Sequence, residues 1–501
     1  MNRFALTLAL LLAGCGNGAP EGARLRVAVV GPAGTGLAAR LEAEATQPTL
    51  IARDGAGQIV PALATSWRFV DEGRSLILRL RPVKWSNGTP LVSADVVTAL
   101  RRAATRGEPA IIDSGLSGGT AARTAPPRLG VLAPIARVVE LRLDAASPLL
   151  LDWLAEPAMA IVRTGKAPPT LAAYAAIGPP QRRVLTRRSP DPAPDQRPAE
   201  IVITPSSDSA AAIAAFNRGD ADIVIGDGLA GLGNARTGAR ADALRIDPLF
   251  GVYGYAANTR RGALANPAIR RALALAVDRD VLTQRFGIGA ITPLDGLRPA
   301  VSSGAAPVPA RPAGRIASRI AAAQRPVQDV AARQAEAQQL MAAAGYSPAQ
   351  PLRLVLLMPP GRDHRLVAEA VAGDLAAIGV VLAVSEVGDI DRRMARGQFD
   401  LAVVESSLAP ADAGALLARW RCNRGRHCNP AADALLDAAR RALPADRPAL
   451  LDQAEAALMT GPPMIALFKP VRWALVARGV DGWMPNVAGS HPLARMDVAR
   501  R

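Results

Sequence analysis

Leucine recurs at every second position over residues 76–81, where it alternates with Ile77, Arg79 and Arg81. This two-residue period is that of a β-strand. The turn residues Ser-Asn-Gly follow at 86–88. Ser93 can then accept hydrogen bonds from the free amides of a new helix, and Asp95 lies near the positive end of that helix. The pattern predicts a strand, a turn and a helix that have a structural role and carry no chemistry.

The second half of the chain switches repeatedly between the helical and the extended period. Two of its helices are predicted to end at glycines suited to a left-handed cap, Gly345 and Gly379. The predicted elements are a helix at 331–344, a strand at 352–358, a helix at 365–378, a strand at 380–384, a helix at 391–395 and a strand at 399–404. Further strands are predicted at 24–30, 201–204 and 222–225. Such alternation is typical of an α/β layer with helices packed on a sheet.

The composition suits a folded chain of two or three domains. Of its 501 residues, 50% are hydrophobic and 20% charged but only 3% aromatic, so aliphatic side chains must fill the core. The net charge of +16 comes mainly from arginine. Because the arginines are scattered and no stacking aromatics interleave with them, the charge predicts no nucleic-acid partner.

The N-terminus resembles an export signal. A short apolar run, 4–12, follows Arg3 and leads to Ala13, Gly14 and Cys15. The sequence LAGC at 12–15 resembles a bacterial lipobox, whose cysteine becomes the lipidated first residue. We therefore expect a lipoprotein signal peptide at 1–15, a flexible tether at 16–23 and a periplasmic or extracytoplasmic protein anchored to the membrane by lipid. The alternative is an ordinary export signal with a chance cysteine.

The other two cysteines, Cys422 and Cys428, lie close together in the sequence. Export would place them in an oxidising compartment, where a disulfide that closes a small loop is favoured. His427 lies next to Cys428, so a metal site is the alternative. Two sulfurs and one imidazole without a visible fourth ligand form an incomplete set, so we predict the disulfide and no metal.

Common catalytic motifs are absent from the sequence. It has no phosphate-binding G-x-x-x-x-G-K loop and no H-E-x-x-H zinc motif. Of the three histidines, His364 lies in a polar segment before a helix, where we expect a solvated residue. The sequence therefore predicts a protein that is not an enzyme.

Five short motifs follow one another along most of the chain. They are QIVPALATSW (58–67), WSNGTPL (85–91), FNRGDAD (216–222), NPAIRRALALAVDR (266–279) and AAGY (343–346). Each is unspecific alone. Taken together and in this order, they resemble the extracytoplasmic solute-binding proteins of ABC transporters, in the peptide/nickel-binding group known as family 5.

The resemblance implies an α/β fold of the two-lobe periplasmic binding protein type (type II-like), with an extra small α/β domain in the first lobe. Lobe I would comprise 24–47, 166–254 and 469–501, with the extra subdomain at 48–165, and lobe II would comprise 255–468. The lobes would close on a peptide or another small solute, without a cofactor. The closed form would then dock on the permease subunits of an ABC importer.

The resemblance also indicates a ligand-binding segment in which this chain departs from the family. In peptide-binding members a Trp and then an Asp follow a strand, and the Asp pairs with the peptide's α-ammonium. Here Ser406 and Ala409 occupy those positions, and Asp412 matches a later Asp that could instead cap a helix. Glu405 could supply the missing carboxylate, so the candidate substrate-binding residues are Glu405, Ser406, Ser407 and Asp412. A family-related lipoprotein with an altered cleft, acting in signalling or as a scaffold, is the alternative.

Overall fold

The structure is a computed structural model that describes residues 23–108, 110–111, 114–118, 129–147, 149–188, 197–239, 242–299, 330–408, 411–425 and 427–499. The leader with Cys15, the tether as far as residue 22 and Ala409 lie outside these ranges. The lipobox and the tether therefore stay predictions.

The elements of the described residues are numbered here in chain order. The strands are β1 (Arg24–Val30), β2 (Ile51–Arg53), β3 (Ile59–Pro61), β4 (Ala64–Val70), β5 (Ser75–Leu80), β6 (Val131–Ile135), β7 (Val138–Arg142), β8 (Tyr174–Ile177), β9 (Arg183–Arg187), β10 (Glu200–Ser206), β11 (Ile223–Asp227), β12 (Leu244–Pro248), β13 (Gly251–Ala257), β14 (Leu352–Met358), β15 (Val380–Glu386), β16 (Leu401–Ser407), β17 (Met464–Phe468), β18 (Val471–Val476), β19 (Val480–Asp481) and β20 (Asp497–Val498). The α-helices are α1 (Gly36–Thr46), α2 (Ser93–Thr105), α3 (Leu150–Leu154), α4 (Ser209–Arg218), α5 (Leu232–Gly238), α6 (Pro267–Ala276), α7 (Arg279–Gln284), α8 (Val330–Ala343), α9 (Arg362–Ala376), α10 (Ile390–Ala395), α11 (Ala413–Leu417), α12 (Pro430–Arg441) and α13 (Arg447–Met459).

The first large sheet has the strand order β12-β18-β11-β1-β10-β9-β8, and its central strand β1 runs parallel to β10 and β11. Alternate residues of β1 enter different hydrophobic clusters. Leu25 and Val27 pack on the side of α1, whereas Ala28 and Val30 pack on the side of α4 and α5. The sheet is thus covered on both faces, as its nearly continuous apolar strand sequence requires. We call this body the seven-stranded lobe.

The second large sheet has the order β15-β14-β16-β13-β17. Helix α9 connects the parallel strands β14 and β15 and buries Val367, Val371 and Leu375 against the sheet. Helices α12 and α13 contribute to a separate hydrophobic cluster on the other face, through residues that include Leu436 and Leu451. The helix predicted at 365–378 and the strands predicted on either side of it are confirmed. We call this body the five-stranded lobe.

A smaller antiparallel sheet, in the order β4-β5-β7-β6, packs against α2. The predicted strand–turn–helix junction is found here, and its even-numbered leucines are fully buried. The prediction that Ser93 caps the helix is wrong, because Ser93 Oγ donates a hydrogen bond to the carbonyl O of Ile135 at 2.7 Å. Asp95 takes up that role by accepting the Val92 N–H at 3.1 Å. An acidic side chain in the first turn can satisfy a free amide as well as a preceding serine can.

The chain passes between the two lobes at two adjacent places. It leaves the seven-stranded sheet at Pro248 and enters the five-stranded sheet at Gly251, and it returns between Phe468 and Val471. Pro248 pairs with Val471, and the backbone N–H of Leu249 donates to the carbonyl O of Pro470 at 3.0 Å. Strand β13, which begins at Gly251, belongs to the five-stranded sheet. We therefore place the lobe boundary at 249–250, upstream of the boundary at 254/255 that the resemblance implies.

The C-terminal segment is fixed to the seven-stranded lobe by a buried pair. His491 Nε2 lies 2.8 Å from Asp247 Oδ2, and the His491 ring stacks on Trp483 with centroids 3.7 Å apart. Asp247 also accepts the backbone N–H of Asn486 at 2.9 Å. Within the described part of the chain, no helix combines the length and the apolar character needed to cross a bilayer.

Candidate functional site

Parallel strands of both large sheets end at the boundary between the lobes. In the seven-stranded lobe β1 and β11 end at Val30 and Asp227, and in the five-stranded lobe β14 and β16 end at Met358 and Ser407. Ligands of open α/β sheets bind at the carboxyl ends of parallel strands. We therefore take the crevice between these strand ends, hereafter the interlobe cleft, as the candidate functional site.

Glu405 projects from β16 towards the opposite lobe. It pairs with Tyr253 on β13, so both side chains leave the same face of the five-stranded sheet. Across the cleft, a Cβ atom on Gly228 would overlap the Glu405 carboxyl group. Gly228 directly follows β11 and has φ of +63°, a left-handed conformation that glycine adopts without steric cost. The two lobes are therefore in contact around Glu405.

The surroundings of Glu405 disfavour its charged form. Burial raises the pKa of Glu405 to about 8, Asp227 contributes to the increase, and Arg472 partly opposes it. Glu405 is nevertheless an exposed residue. Both observations hold when neighbouring protein atoms surround a carboxyl group but leave open space beside it, so we infer that Glu405 faces the interlobe cleft.

Asp227 and Arg472 form an ion pair on the wall of the seven-stranded lobe. Arg472 Nε and Nη2 donate to Asp227 Oδ1 at 3.2 and 3.1 Å, and Nη1 donates to the carbonyl O of Gly489. The Arg472 side chain is 9% exposed, whereas that of Asp227 is 45% exposed. The pair therefore presents its carboxylate, and not its guanidinium, to solvent.

The other sequence-predicted residues differ in their surroundings. Ser406 points to the opposite face of the sheet from Glu405, is 3% exposed, and accepts a hydrogen bond from Arg419. Ser407 returns to the face of Glu405 and is partly exposed. Asp412 is buried at the start of α11, where it accepts the N–H groups of Gly414 and Ala415 and pairs with Arg447. Of the four candidates, Glu405 and Ser407 share the face of the sheet that meets the cleft.

Direct contacts hold the lobes together beside the site. Asp363, in the first turn of α9, accepts the backbone N–H of Gly233 from α5 at 3.2 Å. Arg236 of α5 also donates to the carbonyl O of Phe286 in the five-stranded lobe. These contacts, together with that of Gly228 with Glu405, define a closed arrangement.

His364 is buried behind this contact, contrary to the prediction of a solvated residue. It is 6% exposed, and its Nδ1 atom lies 2.8 Å from the hydroxyl O of Tyr253. Burial lowers the pKa of His364 to about 4, so the ring is neutral at pH 7. The sequence could not show this, because the first turn of α9 is polar, while the surface that covers His364 comes from β13.

Sequence reasoning did not identify Asp227, Gly228, Arg472 and Asp363 as candidate site residues. Asp227 and Gly228 do carry a signal, because Asp227 is the polar last residue of the apolar strand β11 and Gly228 directly follows it. Arg472 carries no comparable signal. It belongs to the site because β18 lies beside β11 in the sheet, although the two strands are far apart along the chain.

A separate cavity of about 400 Å³ lies on the five-stranded lobe, next to the disulfide that joins Cys422 and Cys428. His427 lines it together with Arg260 and Arg270. No cluster of three potential metal-ligating side chains occurs among the residues that the structure describes. The two sulfurs are bonded to each other, which leaves His427 without the thiolate partners that the metal alternative requires.

Comparison with known proteins places the chain among transport proteins. A sequence model of the bacterial extracellular solute-binding proteins, family 5, matches residues 58–427. The periplasmic murein peptide-binding protein MppA of Escherichia coli K12 is 27% identical over 360 residues, which are 64% of this chain and 62% of that protein. The chain thus aligns with under two thirds of the length of this relative. The probable deoxycholate-binding periplasmic protein YgiS of the same organism is 26% identical over 454 residues, 84% of this chain and 81% of that protein.

Solved structures share the fold over nearly the whole chain. The E. coli murein tripeptide binding protein MppA superimposes with a TM-score of 0.80 at 22% identity, covering 96% of this chain and 99% of that one. Its unliganded open form, over 96% of this chain and 98% of that one, gives 0.67 at 22% identity. Haemophilus influenzae OppA in complex with the peptide RPPGFSPFR gives 0.78 at 19% identity, over 96% and 99% of the two chains.

Proposed function

The chain belongs to the bacterial extracellular solute-binding proteins, family 5, and on that premise we propose that it captures a peptide or peptide-like solute between its lobes and delivers it to an ABC importer. Members of this family are binding proteins of transporters and not enzymes. A ligand that contacts both lobes favours the closed state by the free energy of those contacts. Closure then distinguishes a loaded protein from an empty one for the permease.

The observation that carries this proposal is the closed interlobe cleft with Glu405 inside it. A carboxyl group that faces the cleft and receives no hydrogen bond from the described residues suits a polar ligand. The chain resembles the unliganded open form of MppA less, with a TM-score of 0.67, than the other MppA structure, with 0.80. This difference supports a closed arrangement of the lobes. MppA is named as a murein peptide-binding protein, and OppA was solved in complex with a peptide, so both favour peptides as the solute class.

The experiment is direct binding to the purified protein. In thermal-shift screening against di- to pentapeptides, with deoxycholate as a second probe, a bound solute should raise the melting temperature, and the rise should grow with the logarithm of the ligand excess. Isothermal titration calorimetry then gives the affinity of each peptide that responds. If deoxycholate raises the melting temperature and none of the peptides does, the proposed solute changes from a peptide to an apolar acid. A cleft that responds to neither would favour the signalling or scaffold alternative.

We propose in addition that Cys15 carries a lipid that anchors the protein to the membrane. The support is the sequence LAGC at 12–15 behind a short apolar run. In the bacterial host, the wild type should fractionate with membranes and a Cys15→Ala variant with the soluble extract. A Cys422→Ser variant, which retains the LAGC sequence, is the matched cysteine control and should stay with the membranes. Equal fractionation of wild type and Cys15→Ala would refute the anchor.

A further inference from the structure

Resting on the proposed function, we propose that Glu405 and Asp227 determine ligand specificity by binding a positively charged amine of the solute between the lobes. Glu405 comes from the five-stranded lobe and Asp227 from the seven-stranded lobe. Neither residue is at the position that the family resemblance indicates for the ammonium partner, which is Ala409 in this chain.

The geometry brings the two carboxyl groups to the same part of the cleft. Gly228, the neighbour of Asp227, lies so close to the Glu405 carboxyl group that any side chain at position 228 would overlap it. Asp227 also acts electrostatically on Glu405, which requires that the two groups lie near each other. Closure therefore brings one carboxyl group from each lobe close to the other.

With both carboxyl groups ionised, the charges in this part of the cleft do not balance without a further cation. Arg472 faces both carboxyl groups, but its hydrogen bonds go to Asp227 Oδ1 and to the carbonyl O of Gly489. One guanidinium thus opposes two carboxyl groups. Among the described residues, none donates a hydrogen bond to Glu405, and the nearby Tyr253 hydroxyl is bonded to His364. An ammonium group supplies both the missing charge and three donors.

Binding of an amine should be coupled to release of a proton. Glu405, with a pKa of about 8, is mostly neutral at pH 7 in the empty closed cleft. The groups that face it are Asp227, Arg472 and Tyr253, with His364 bonded to Tyr253, and only Asp227 and Arg472 are charged at pH 7. An ammonium favours the ionised form of Glu405, so its binding expels the carboxyl proton. Affinity should accordingly rise about tenfold per pH unit between pH 6 and 7.5, where a peptide α-amine remains largely charged.

The first test compares trialanine with N-acetyl-trialanine by calorimetry at pH 7.5. We expect acetylation to weaken binding at least tenfold in the wild type. In Glu405→Gln the two peptides should bind within threefold of each other, and Asp227→Asn should show a smaller loss of discrimination. Glu369→Gln, which changes an exposed glutamate on α9, is the matched control and should keep the wild-type ratio. Melting temperatures show that each variant is folded.

The outcomes separate this proposal from the proposed function. Equal affinity of both peptides for the wild type would overturn amine recognition while leaving solute capture intact. Binding of neither peptide, with other solutes also inactive, would overturn the proposed function and this proposal together.

The second test measures trialanine binding from pH 6 to 8.5 in two buffers of different ionisation enthalpy. Proton release with a rising affinity supports the proposal, whereas an affinity of wild type that is independent of pH, or equally dependent in Glu405→Gln, overturns it.

Discussion

The carboxylate Oδ2 of Asp363 accepts the backbone N–H of Gly233 at 3.2 Å, and this hydrogen bond joins the two lobes. Asp363 lies in the first turn of α9 and Gly233 in the first turn of α5. Partial burial raises the pKa of Asp363, while the Gly233 hydrogen bond lowers it. The bond exists only while the lobes are closed, so it contributes to the balance between closed and open forms.

Asp363→Ala should shift that balance towards the open form. A hydrogen bond to a charged group contributes about 1.5 kcal/mol or more, and partial exposure reduces this to about 1 kcal/mol here. The closed-to-open ratio should fall about fivefold, seen as a larger radius of gyration by X-ray scattering of the ligand-free protein. Asp391→Ala removes an exposed aspartate from the first turn of α10 and should leave the radius unchanged. An unchanged radius for both variants would contradict a role of Asp363 in closure.

Gly228→Ala should impair closure more than a matched glycine substitution elsewhere. Gly228 and Gly219 both have a left-handed φ, +63° and +80°, so alanine costs about 1 kcal/mol of backbone strain at either position. Only at Gly228 would the new Cβ overlap Glu405, whereas Gly219 has open space around it. Both variants should lose similar stability to denaturant, but only Gly228→Ala should lose ligand affinity, by tenfold or more. Equal affinities would show that the Glu405 side chain moves aside freely.

His364 should make folding stability fall as the pH is lowered. Its pKa is about 4 when folded against an ordinary value of 6.5, so between pH 6.5 and 4 the unfolded chain binds a proton that the folded chain does not. The stability that depends on neutral His364 is thus complete above pH 6.5 and is lost below it.

The measurement is the unfolding free energy of wild type and His364→Gln at pH 7 and pH 5. The unfolding free energy of the wild type minus that of His364→Gln should be about 1–2 kcal/mol smaller at pH 5 than at pH 7. The reason is that only the wild type has His364, which takes up a proton on unfolding at pH 5. Carboxyl groups with raised pKa values, such as Asp374 and Glu455, occur in both proteins and cancel in this difference. A difference that is independent of pH would contradict the burial of a neutral ring.

The disulfide between Cys422 and Cys428 should add modestly to stability. The two cysteines are separated by 6 positions, and closing so short a loop restricts the unfolded chain by about 2 kcal/mol. The double variant Cys422→Ser/Cys428→Ser should unfold at correspondingly lower denaturant concentration. Reductant should destabilise the wild type by the same amount and leave the double variant unaffected. Destabilisation of both proteins by reductant would indicate an effect unrelated to this bond.

Local patterns were sufficient to predict the α/β layer of the five-stranded lobe. Gly345 and Gly379 do adopt left-handed φ values, of +86° and +78°, next to the ends of α8 and α9. These signals are contained within single elements, so no knowledge of distant contacts is needed to interpret them. The same holds for the disulfide, whose cysteines are near neighbours in the sequence.

The candidate site could be predicted only in part, because its residues meet through the topology of two sheets. Glu405 was identified from the sequence, but Asp227 and Arg472 come from strands that share no local pattern with it. Ser406 illustrates a second limit. Neighbouring residues of a strand face opposite sides, so the position beside Glu405 points away from the cleft and binds Arg419 instead.

The two places where the chain passes between the lobes are adjacent, so the five-stranded lobe can be exchanged as a unit. The N–H of Leu249 and the carbonyl O of Pro470 are 3.0 Å apart, so the chain enters and leaves the five-stranded lobe at one spot. Residues 251–468 are therefore a cassette whose two ends meet. Exchanging that cassette for its counterpart from a relative requires only two adjacent splice points and re-routes no other part of the polypeptide. Such chimaeras offer a way to transfer half of a binding cleft from one protein to another.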